Sequence, residues 1–446
     1  MYKFPENLYT DIRIDNYSET QLTYDVEVLA EIKEKDVEGI FLRIYDGHRW
    51  YYSSFTGKEN IQTEIDVLAE KATPNPNVYD CPIIKKLEAN QYRKLSYEDG
   101  FQSLSLDEKI AVVSKYPKQY VSQCSLMTDL TTQLLLIHNV REFYSSKGAN
   151  LYYDEEVLSL VLSGTFACGE NVLVENYEKF GHRLSDLDES VDREITEHIQ
   201  KAEEFVRECV SVEPGAYPVV FSPENTGLLC HESVGHKSEG DFFVDSPGME
   251  KIWNMGEEFC DRGISIVDDG EIESSIYLPF DDEGTRSRPT AIVKEGCVGD
   301  RMTNAAAAAE LNLPMTGNAR AIDYTWEPMV RMTTVYLNPG TMPMEDLFKG
   351  IEKGIFADTY IAGGGMDVFS IAPGRCYLIE NGKITKPVAV SLIFSRCKDA
   401  LAAIEGRTAE VILKPAYYIR CGKPPQLGLA TSDGGPYVRF KSMSVV

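Results

Sequence analysis

Val212-Glu213-Pro214-Gly215-Ala216 divides the chain into two textures. Before it, residues 185–210 carry Val191, Ile195, Ile199, Ala202, Phe205, Val206 and Cys209 at helical spacing, one apolar stripe on a charged helix. A Pro-Gly pair does not continue such a helix. After it, apolar runs at residues 217–221, 264–267, 290–294, 330–337 and 376–379 predict strands, the last turning at Asn381-Gly382 into a return strand over 388–394. A helix is expected over residues 344–355 and a helical turn over 305–309. Upstream, the run from Gly39 to Tyr45 leads through Asp46-Gly47 into Trp50-Tyr51-Tyr52, a hairpin pattern. A loop follows at 73–77, and residues 105–116 turn helical. The reading is α+β. An N-terminal region of mixed α and β structure with amphipathic helices covers 1–212, divisible near 80–105, and a β-rich domain covers 213–446.

The 446 residues exceed what one small core needs. Hydrophobic residues at 43% and charged residues at 26% describe an ordinary globular protein. The most apolar stretch, Leu134-Leu135-Leu136-Ile137, is bracketed by Thr132-Gln133 and His138-Asn139, so no membrane span is expected. Met1-Tyr2-Lys3-Phe4-Pro5-Glu6 has neither a basic segment leading into an apolar run nor an Arg-rich character, which predicts a cytoplasmic protein. A formal charge of −26 argues against nucleic acid as a partner, because phosphate binding rests on clustered Lys and Arg; its plain meaning is solubility. Ten cysteines without a CxxC pair read as reduced thiols.

The chemistry concentrates in Ser222-Pro223-Glu224-Asn225-Thr226-Gly227-Leu228-Leu229-Cys230-His231-Glu232-Ser233-Val234-Gly235-His236. Ser222 suits a helix cap and Pro223 the first helical position. His231 and His236 stand five residues apart, one more than the HExxH spacing that puts two imidazoles on one helix face. At about 100° per residue a regular helix would turn the second ring away by roughly 140°. Two readings follow. Either the histidines are unrelated, or the helix is distorted, by a π-bulge or by unwinding at Gly235, so that both reach one metal ion. Zinc with three protein donors and an open position is the ion such a pair suits, and Glu232 beside a ligand is placed to take a proton from water.

These residues resemble the TldD branch of the TldD/PmbA family of metallopeptidases, marked by HExxxH. His231-Glu232-Ser233-Val234-Gly235-His236 with Glu239-Gly240-Asp241 matches the marker, and Asp281-Asp282-Glu283-Gly284-Thr285 follows in order. So do Thr316-Gly317-Asn318-Ala319-Arg320, Pro328-Met329-Val330-Arg331-Met332-Thr333, Gly363-Gly364-Gly365 and Cys421-Gly422-Lys423. The resemblance implies one zinc ion per chain held by His231, His236 and Cys421, with Glu232 as the catalytic base. Cys421 is supplied by the resemblance alone, since spacing says nothing about its position. An unfolded or flexible peptide is the implied substrate, held in extended form, and a homodimer or a heterodimer with a related subunit is the implied assembly. The three glycines read as a turn, with close backbone approach as the alternative. Partners for the histidines are expected among Glu239, Asp241, Asp282 and Glu283. Lys237-Ser238 and the tail after Lys423 depart from the family pattern and bear on substrate choice. The competing readings are a non-catalytic peptide-binding subunit and a zinc hydrolase of a non-peptide amide.

Overall fold

A computed structural model describes residues 2–97 and 100–446. Among these the fold is α+β. The N-terminal sheet has seven strands in the order Trp50–Thr56, Val28–Tyr45, Tyr9–Asp25, Met127–Ser145, Asn150–Cys168, Gln91–Lys94, with Asn171–Gly181 also paired to Asn150–Cys168. The Asp46-Gly47 hairpin forms as expected, in register from Tyr45–Trp50 to Gly39–Thr56.

Helices Leu106–Gln123 and Glu189–Glu208 cover this sheet. Ser105 caps the first, accepting from the Glu108 amide while Glu108 reaches back to the Ser105 N–H. The predicted stripe on the second is buried: Val191, Ile195, Ile199 and Val206 join Leu134, Leu160 and Phe166 of the strands in one core.

The C-terminal half holds a ten-stranded and a six-stranded sheet. Between them runs the helix Pro223–Cys230, capped by the Ser222 hydroxyl, which accepts from the Asn225 amide. Leu228, Leu229 and Cys230 share a core with Val219 and Phe369 of the larger sheet and Ile266 and Val335 of the smaller. A helix so enclosed needs no polar face, which explains why its apolar residues show no helical period.

Three expectations are corrected. The helix over 344–355 stops at Phe348; Gly350 adopts φ 78° and residues Lys353–Ala357 become a central strand, where Ile355 and Phe356 are buried. The strand over 330–337 divides into Met329–Val330 and Thr334–Leu337, because the Arg331 and Thr333 amides turn to Asn318 O and the Asp268 carboxylate. The return strand after Asn381-Gly382 is Lys383–Ala389, and Ile393–Arg396 pairs elsewhere, with Val368–Pro373. Both turn residues lie in the left-handed region, φ 51° and 78°, as a tight hairpin requires.

Buried ion pairs join the two halves. Arg13 Nη1 lies 3.2 Å from Asp282, Arg141 Nη1 3.0 Å from the same carboxylate, and Arg43 bridges Asp11 and Glu283 at 2.9 Å each.

Candidate metal centre

The helix changes character at the histidines. Residues His231–Gly235 form a π-turn, in which the His236 N–H donates to the His231 carbonyl five residues back. Side chains five apart thereby come onto one face, and the two imidazole centroids stand 5.0 Å apart at 83°. The expected distortion is present, but Gly235 serves it differently. Its φ of −54° and ψ of −60° are ordinary helical values. What it provides is room, because a Cβ there would meet Met332 Sδ at 2.1 Å.

Cys421 arrives on the strand Ile412–Lys423, which is bulged on both sides of it. One nitrogen from each of His231 and His236 and the Cys421 sulfur lie within 4.8 Å of one another, with Cys421 Sγ 3.6 Å from His236 Nε2. Burial opposes ionisation of the thiol, but hydrogen bonding to His231 and His236 outweighs it and brings Cys421 down to about 5. The thiolate is the ligating form. Burial depresses His236, while Cys421 and Glu239 raise it further, to about 10. Two imidazoles and a thiolate converging in a buried pocket are a donor set that fits zinc and leaves a fourth position open.

Each of these three side chains is held from behind. Glu239 Oε1 lies 3.4 Å from His236 Nδ1, and Glu239 is itself gripped by Lys423 at 2.8 Å. Burial would raise Glu239; His236 and Lys423 hold it below the usual carboxylate range. Lys423 also binds Asp241 at 2.7 Å, so one Cys-Gly-Lys segment supplies both the thiol and the cation under the second histidine. Asp433 Oδ2 stands 3.8 Å from His231 Nδ1, and burial pushes it up to about 6 against the pull of His231 and Lys414. Arg331, fully buried, donates to the Cys421 carbonyl at 2.8 Å and the Gln426 carbonyl at 3.2 Å.

Of the expected partners of the histidines, Glu239 meets His236, while Asp241 touches neither histidine and reaches the site only through Lys423. Asp282 and Glu283 are elsewhere; they face the arginines of the N-terminal sheet. Asp433 and Arg331 carry no sequence signal for this role, being one acid and one arginine distant in the chain. Lys237 is buried, with its ammonium 3.8 Å from Asp367 and 5.4 Å from the Trp253 ring centroid.

Glu232 faces the strand Tyr360–Gly364, which ends the ten-stranded sheet. A Cβ on Gly364 would lie 4.0 Å from Glu232 Oε2, and one on Gly363 would strike Leu228 at 2.5 Å. Gly363 therefore permits close approach to Leu228, a side chain on Gly364 would meet only ordinary contact, and Gly365 at φ 130° makes the turn.

Residues 214–446 match the PmbA/TldA metallopeptidase C-terminal domain, half of the whole chain. The chain belongs to this family. It is 27% identical to a metalloprotease of Synechocystis sp. over 98% of this chain and 94% of that protein. It is 29% identical to a zinc metalloprotease TldD homolog of Saccharolobus solfataricus, over 68% of each. Its fold matches TldE from Thermococcus kodakarensis, with a TM-score of 0.76 at 15% identity over 98% of this chain and 96% of the other. Among the described residues no helix is long and apolar enough to cross a membrane.

Proposed function

We propose that the protein is a cytoplasmic zinc peptidase that cleaves or processes unfolded or flexible peptides, with one ion per chain held by His231, His236 and Cys421. The convergence of these three donors at a π-turn carries the reading. Bound zinc supplies a Lewis acid that acidifies water and polarises a peptide carbonyl. Glu232 is the base: its carboxylate takes the proton of the attacking water and returns it to the leaving amine. Asp433 and Glu239 fix the imidazole planes, and Arg331 fixes the backbone that carries Cys421.

The edge strand favours a peptide over another amide. Ile361, Ala362 and Gly363 are exposed, and the strand pairs only with Val368–Pro373 among the described residues. An extended peptide adding to this edge is gripped through its main chain, which suits flexible substrates of varied sequence. The division into units over 1–212 and 213–446 is part of the same proposal, as is assembly as a dimer with a second copy or a related subunit; a TldE chain shares the fold.

The test is Glu232→Gln. The variant should keep one zinc per chain and lose cleavage of a denatured protein. Retained cleavage removes Glu232 from the mechanism. Zinc binding with no cleavage by the unaltered protein favours the peptide-binding subunit instead.

A further inference from the structure

Tyr17, Asn139 and Glu155 stand side by side on three adjacent strands, Tyr17 paired with Asn139 and Asn139 with Glu155, so their side chains share one face of the N-terminal sheet. All three line a cavity of about 350 Å³ between that sheet and the strand Gln426–Gly435. Leu429 and Ala430 form part of the opposite wall, and Leu429 pairs with Cys421, so the cavity is one strand away from the metal donors.

The wall is acidic. Seven carboxylates line it against four cations, Lys35, Arg141, Arg320 and Arg420, and the balance stays negative when Glu156, pushed up to about 7, holds a proton. Lys35 and Arg420 are exposed to solvent, and Arg320 donates to the Met332 and Ala430 carbonyls. Arg141 is shared among three acids, 3.3 Å from Asp15, 3.6 Å from Glu155 and 3.0 Å from Asp282.

Six of the acids are occupied. Asp15 and Asp282 also meet Arg13, at 3.4 and 3.2 Å. Asp154 accepts the Ser96 and Tyr97 amides, Glu156 the Phe101 amide, Asp323 the Thr325 amide and hydroxyl, and Glu19 the Tyr17 hydroxyl. Glu155 is the exception. Among the described residues it accepts no hydrogen bond, and Arg141 is the one cation within 4.0 Å. Burial, ahead of the opposing pull of Arg141, raises its carboxyl, the mark of a carboxylate short of counter-charge.

Asn139 adds a second unused acceptor. It is 3% exposed, and its Nδ2 donates to Asp15 at 3.4 Å, which fixes the amide's orientation and leaves Oδ1 without a partner. Lys35 Nζ lies 5.2 Å from the Tyr17 ring centroid, so the ring beside these acceptors already attracts a cation, and four more tyrosines line the cavity. A metal ion is a poor fit: among the described residues, His231, His236 and Cys421 are the one set of three such side chains whose ligand atoms lie within 4.8 Å of one another.

We infer that this cavity binds an organic cation, the ammonium or guanidinium of a peptide, which donates to the Glu155 carboxylate and to Asn139 Oδ1 beside the Tyr17 ring. The choice of a peptide rests on the peptidase reading; the choice of a cation does not. A basic side chain and a free N-terminus offer the same chemistry, and the net charge of −26 draws both toward the protein.

Binding to the zinc-loaded Glu232→Gln protein by titration calorimetry at neutral pH tests it, with four tetrapeptide amides: acetylated tetra-alanine, the same peptide with lysine or with glutamate in third place, and tetra-alanine with a free N-terminus. The lysine peptide, the free-amine peptide or both should bind about ten-fold more tightly than acetylated tetra-alanine, as a charge-assisted pair implies, and the glutamate peptide no more tightly than it. Which cationic peptide does so identifies the source of the charge. Glu155→Gln on the same background keeps the shape and removes the carboxylate; it should abolish the preference and leave zinc content unaltered. A neutral or glutamate peptide that binds as tightly as both cationic ones, no binding of any, or a preference that survives Glu155→Gln overturns the inference. Cleavage is not read, so either reading can fail without the other.

Discussion

His231 Nδ1 and Asp433 Oδ2 stand 3.8 Å apart, and the helix and strand that bring them together touch at Gly227, where a Cβ would meet Asp433 Oδ1 at 2.4 Å. The pair is slightly longer than a direct hydrogen bond but orients the imidazole so that its other nitrogen faces Cys421. Asp433→Asn keeps the shape and removes the charge. Zinc affinity should fall about 10- to 100-fold. Competition with a chelator measures it, and an unchanged affinity would remove Asp433 from the site.

Gly235→Ala places a methyl group against Met332, itself fully buried. Overpacking of this kind costs about 1–3 kcal/mol and should displace His236. Met332→Ala in the same chain opens the space and should restore zinc binding, though not full stability. Melting temperature and zinc stoichiometry of the two variants separate packing from ligation; full zinc occupancy at normal stability in Gly235→Ala would contradict the packing role.

The sequence made a distortion legible, because a regular helix turns two imidazoles five residues apart away from each other; a π-bulge and an unwinding at Gly235 both remained open until the structure showed the π-turn. Ser222, Pro223 and the stripe from Val191 to Val206 were equally readable, since caps and amphipathic periods are local. Beyond the Asp46-Gly47 hairpin, the N-terminal sheet was not. In the strand Tyr9–Asp25, residues Tyr9 to Asp15 are all buried: Ile12 and Ile14 enter an apolar core, and Asp11, Arg13 and Asp15 on the other face enter the ion pairs of the charged junction. A buried polar face reads in sequence like one left to solvent, so the alternation of Asp11-Ile12-Arg13-Ile14-Asp15 does not tell what its charged side packs against. Asp433 and Arg331 were hidden for another reason: their contacts depend on long-range pairing, which no local pattern encodes.

Asp282 tests that charged junction. It is buried between Arg13 and Arg141, and burial, which would raise its carboxyl, is outweighed by these two cations. Asp282→Ala leaves both guanidiniums without this partner and should destabilise the protein by about 3–5 kcal/mol. Urea denaturation gives the value. A loss no larger than that of an exposed ion pair would mean that the junction is not held by charge.

Glu156, 4% exposed, is pushed up to about 7 by burial, although the Phe101 amide pulls the other way. Its value in the unfolded chain is about 4.3. Between these values the folded state keeps a proton that the unfolded state releases, so stability is present at low pH and is lost as pH rises through about 7. Glu156→Gln cannot titrate. Its stability relative to the unaltered protein should increase from about pH 5 to about pH 8; a flat difference across that range would place the titration elsewhere.

Zinc K-edge X-ray absorption of the purified protein addresses the donor set directly. It should report one ion per chain bound by a single sulfur at about 2.3 Å and two imidazole nitrogens at about 2.0 Å, with the sulfur lost in Cys421→Ser. No zinc, or a zinc shell without sulfur in the unaltered protein, would contradict the site.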